Sequence, residues 1–137
     1  MYNAKLRQYQ RSQATIATPL GQIAILLDHT ASLMRRIKIA VESKDYEARY
    51  HATDKAMVIL SSIQSSLAVD KTEEAAELSR FFQEMILFIL DVNIKEDLQL
   101  CQDVELALNE MAEVWRTADQ NTKTPDIVDQ ELSINMA

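Results

Sequence analysis

The chain has 137 residues, enough for one hydrophobic core and too few for two. Apolar residues make up 47 %, which argues against wholesale disorder, while one glycine (Gly21) and two prolines (Pro19, Pro125) leave too little turn chemistry for sheets. Fourteen Lys and Arg against 21 Asp and Glu give a net charge of −7, which repels phosphate backbones and anionic lipid. Nucleic acid and membrane surfaces are therefore unfavourable partners. The lone Cys101 excludes an internal disulfide framework and fits a reducing compartment. Residues 1–13 are polar and aromatic rather than a charged-then-apolar leader. The longest apolar run, residues 85–90, is far shorter than the roughly 20 residues of a membrane span. The expectation is an all-α, soluble, cytoplasmic protein with no membrane insertion.

In chain order, residues 1–17 form an arm without sustained periodicity, carrying Tyr2, Leu6, Tyr9 and Ile16. Thr18-Pro19 is a helix start, a threonine cap followed by proline at the first helical position. The helix it opens is expected to reach about Lys44. Leu20, Ile23, Leu27, Met34 and Val41 share one face, and Ile25, Leu26, Leu33, Ile37 and Ala40 widen it beyond a normal stripe. Asp45 caps a second helix to about Ala68, with Ala52, Ala56, Ile59, Leu60, Ile63 and Leu67 inside; its early alanines allow a neighbour close approach.

Asp70 or Thr72 caps a third helix, where Glu73, Glu74 and Glu77 suit the N-terminal dipole. Its middle, residues 81–90, is apolar nearly all round, which predicts the most buried helix. The pattern breaks over residues 93–97. A fourth helix then shows the cleanest spacing in Cys101, Val104, Leu108, Met111, Trp115 and Ala118. Beyond Asp119 the polar composition and Pro125 suggest a flexible tail. The predicted organisation is an arm (1–17), an antiparallel up-down four-helix bundle (18–120) with the arm packed over it, and a tail (121–137).

The residues assemble no familiar reaction centre. Di-iron bundles need inward Glu-x-x-His pairs on two helices, but Leu26 precedes His29 and Ala48 precedes His51 at that spacing. Glu47 and His51 are four apart, which fits a solvated polar face. A phosphotransfer or signalling bundle is the alternative functional class, since such bundles present an exposed His followed by Lys-Gly. His51 is instead followed by Ala52, Thr53, Asp54 and Lys55, and His29 meets no lysine before Lys38. Cys101 and Trp115 both fall at core-facing positions, where a thiol is inert packing. No metal site and no cofactor are expected.

Two apolar features exceed what a plain bundle needs: the wide face of the first helix and the Leu6, Tyr9 and Ile16 side chains of the arm. Either the arm shields a groove until an amphipathic partner helix displaces it, or it completes the core permanently.

The order of several short signatures resembles the flagellin export chaperones of the FliS family. These are Leu6-x-x-Tyr9, Ala17-Thr18-Pro19, Glu42-x-x-Asp45, Lys55-Ala56, Asn93-Ile94-Lys95-Glu96-Asp97, Val104-Glu105 and Trp115. The resemblance spans the arm and all four helices. It departs from the family pattern at Leu27-Asp28-His29, Lys71-Thr72, Phe81-Phe82, Val92-Asn93 and Val114-Trp115, as in a divergent member. The resemblance implies a chaperone that is not an enzyme and uses no nucleotide. Such a protein binds the disordered C-terminal segment of flagellin, prevents premature polymerisation and aids delivery to the flagellar export gate. Leu6 and Tyr9 match the family's arm positions. Leu6, Tyr9, Ile16, Ile23, Leu26, Leu27 and Leu33 are the candidate partner-binding residues.

Overall fold

The computed structural model describes the backbone of residues 19–136 and the side chains of residues 21–120. Four helices follow in order: α1 (Pro19–Ser43), α2 (Tyr46–Ala68), α3 (Glu73–Lys95) and α4 (Leu98–Met136). No strand occurs among the described residues. The arm, with Leu6, Tyr9 and Ile16, lies outside them.

Local chemistry sets each boundary. The turn after α1 closes through Lys44 in the left-handed region (φ 58°) and an Asp45 amide donating to the Ala40 carbonyl at 2.9 Å. Asp45 then caps α2, its carboxylate accepting the Ala48 amide at 3.1 Å. Of the two candidate caps for α3, Thr72 is the one used. Its hydroxyl accepts the Ala75 amide at 3.2 Å, while Asp70 accepts the Thr72 amide and braces the turn. Glu96, also left-handed, ends α3, and Asp97 caps α4 by accepting the Leu100 amide at 3.0 Å. The expected break over residues 93–97 thus narrows to two residues, because Asn93 stays helical and its side-chain amide donates back to the Ile89 carbonyl.

The chain divides into two compact units. One is Leu26–Glu110, which contains most of α1, all of α2 and α3, and the start of α4. Within it, α2 and α3 run antiparallel, shown by ties that pair early α2 with late α3. Arg49 bonds Glu96 at 3.1 Å, Thr53 donates to Asn93 at 3.1 Å, and Gln64 donates to the Ser79 carbonyl and to Gln83. Arg35 pairs with Glu105 at 2.7 Å, and the buried Cys101 thiol donates to the Met34 carbonyl at 3.2 Å, joining α1 to α4. In the other unit, residues 19–25 and 111–136, Ala24 and Ala112 are fully buried and Trp115 is nearly so, as its periodicity predicted.

One sequence expectation changes. The most thoroughly buried helix is α1, not α3: Leu27, Thr30, Leu33, Met34 and Ile37 are all at 0 % exposure. The Thr30 hydroxyl is satisfied by donating to the Leu26 carbonyl at 2.8 Å. On α3 only one side is buried, through Phe82, Met85, Ile86, Ile89 and Val92. An all-round apolar sequence does not say how many neighbours a helix will have. The backbone from residue 121 is helical to Met136.

Candidate partner-binding site

The apolar surplus of α3 is on its outside. Leu87, Leu90 and Ile94 are 52 %, 43 % and 77 % exposed, and their i, i+3, i+7 spacing aligns them in one row. The row lies on the side of α3 that faces away from Ile89 and Phe82, alongside the polar tie of Gln83 to α2. Across the seam between the two helices the same outer side of α2 carries Tyr46 and Tyr50, both about two-thirds exposed. The Arg49–Glu96 and Thr53–Asn93 ties bracket Tyr50 on one helix and Ile94 on the other, so these two side chains share one level. Arg49 stacks over the Tyr46 ring at 5.6 Å while pairing with Glu96. The result is an apolar strip with polar pins along its base. That is the form of surface an amphipathic helix can cover.

The residues expected from sequence to line a groove on α1 fall in two groups. Leu27 and Leu33 are fully buried, whereas Ile23 and Leu26 are half-buried. A partner could touch the first pair only after whatever covers them had moved. Sequence reasoning assigned Leu87 and Leu90 to the core and gave no role to Tyr46, Tyr50 or Ile94. The available signal was that residues 81–90 carry more apolar side chains than one core seam can use.

The chemical candidates are structural. Burial pushes the Cys101 thiol up to about 11, with Glu105 adding to the rise, so the reactive thiolate is scarce at neutral pH. His29 is held below its usual range, first by burial and then by the charges of Arg36 and Lys55. His51 is exposed, with Glu47 3.8 Å away and Tyr50 edge-on at 5.6 Å. No cluster of three or more metal-ligating side chains occurs among the described residues. No helix among them is long and apolar enough to cross a membrane.

The fold is that of an all-α helix bundle. The family model described as flagellar protein FliS matches residues 1–122. A flagellar secretion chaperone FliS from Salmonella typhimurium is 31 % identical over 102 residues, covering 73 % of this chain and 76 % of that protein. The chain belongs to the FliS family, and it shares that family's general role as a chaperone of flagellar export rather than an enzyme.

Proposed function

We propose that the chain binds the disordered C-terminal segment of flagellin in the cytoplasm, keeps the subunit from polymerising, and aids its delivery to the flagellar export gate. The observation that carries this reading is the exposed row Leu87, Leu90 and Ile94 beside Tyr46 and Tyr50. A client helix with apolar anchors at matching spacing covers that row and gains order as it does so. The candidate residues of the arm and of α1 (Leu6, Tyr9, Ile16, Ile23, Leu26, Leu27, Leu33) form a second part of the client surface. Access to Leu27 and Leu33 then follows displacement of the cover over α1.

Calorimetry with a flagellin C-terminal peptide tests the reading. One-to-one binding with a large negative heat-capacity change, the mark of coupled folding, is expected. No binding of any host flagellin peptide at micromolar concentration would refute it. As a control, Leu106→Asp alters an equally exposed leucine on α4 and is expected to leave affinity unchanged.

A further inference from the structure

A second surface lies between α1 and α2. Small side chains at this seam (Ala40 from α1, Ala48 and Ala52 from α2) leave a groove of about 350 Å³, with Leu33 also in its wall. Ile39, largely exposed, stands at the rim. The groove is polarised along its length. At the turn end, the Asp45 carboxylate is engaged in capping α2. Towards the other end, Arg36 from α1 and Lys55 from α2 project as exposed cations.

Neither cation has a carboxylate partner among the described residues. Arg35, Arg49, Lys95 and Arg116 are paired with Glu105, Glu96, Asp91 and Glu113, while Lys38, Lys44, Lys71 and Arg80 share with Arg36 and Lys55 the lack of an ion pair among the described residues. The fields of Arg36 and Lys55 converge, because both act on the His29 imidazole. Their excess positive charge stands in a chain whose net charge is −7. An apolar floor of small residues with cations at one end complements a peptide that carries apolar side chains beside carboxylates.

We propose that the α1–α2 groove is a docking site for an acidic amphipathic peptide segment of a partner protein. The partner's apolar side chains occupy the Ala40–Ala48–Ala52 floor, and its carboxylates meet Arg36 and Lys55. The site is distinct from the outer strip of α2 and α3 and meets the α1 part of the client surface only at Leu33. This inference does not depend on flagellin being the client of the outer strip.

The test uses the full chain and two labelled synthetic helical peptides, one of Leu, Ala and Glu and one with every Glu replaced by Gln. The acidic peptide is expected to bind at least tenfold more tightly. Methyl NMR is expected to place its largest shifts on Ala40, Ala48 and Ala52. Arg36→Glu with Lys55→Glu should weaken it at least tenfold, and a matching Lys-for-Glu peptide should recover binding to that variant. Leu87→Asp should leave the affinity for the acidic peptide unchanged. Equal binding of the two peptides, indifference to the charge reversal, or largest shifts on Leu87, Leu90 and Ile94 would overturn the proposal. The flagellin C-terminal peptide is titrated into the same variants. Unchanged flagellin affinity in the charge-reversed protein supports separate sites, and its loss there without loss of fold would overturn separateness.

Discussion

Helices α1 and α3 carry similar surpluses of apolar residues and dispose of them in opposite ways. On α1 the wide face is consumed internally, with Leu27, Leu33, Met34 and Ile37 fully buried. On α3 one side packs inward through Phe82, Ile89 and Val92, while Leu87, Leu90 and Ile94 remain in water. Each buried aliphatic side chain on α1 contributes about 1.5–3 kcal/mol to folding. The exposed row of α3 contributes little until another surface covers it. A surplus of apolar residues is thus taken into the core on one helix and left at the surface on the other.

The comparison breaks most visibly under truncation. Leu33→Ala should cost about 2–5 kcal/mol in chemical denaturation, because a cavity opens in a filled region. Ile94→Ala should stay within about 0.5 kcal/mol, as surface substitutions do. Equal losses at the two positions would erase the distinction.

A smaller effect is expected at the start of α3. Thr72→Ala leaves the Ala75 amide without its cap and should cost about 1 kcal/mol, read from the same denaturation curves. That loss should fall on stability and leave the arrangement of the outer row unchanged.

The smallest effect is a pH slope on the α1 side. His29 has a lowered pKa in the folded state, so its stabilising contribution is complete above the ordinary value of 6.5 and is lost as pH falls through the lower folded value. Stability should decline on the acid side, and His29→Gln should flatten that part of the profile. Cys101 has the opposite sense, its folded pKa being raised from 9.0 to about 11. Its contribution is intact below pH 9 and is lost as pH rises towards 11.

What could be read from the sequence was what local chemistry decides. Asp45 and Thr72 marked helix starts because a capping oxygen needs only the next turn to act. The clean spacing of Cys101, Val104, Leu108 and Trp115 identified the buried face of α4, since one seam selects one stripe. The exposed row of α3 was hidden for a physical reason. A helix apolar on all sides carries no phase information, so its sequence cannot say which side finds a neighbour. The α1–α2 groove was half legible: the small alanines of α2 were noticed, but Arg36 and Lys55 converge only once two helices are set side by side. Leu27 and Leu33 show the same limit from the other direction, having the spacing of a wide face and the burial of a core.

The outer row of α3 is proposed to meet the client without supporting the fold. It is tested most directly with Leu87→Asp combined with Ile94→Asp, measuring flagellin-peptide affinity and the unfolding midpoint on the same sample. Affinity should weaken at least tenfold with a midpoint that does not fall. Unchanged affinity in a folded variant would contradict it.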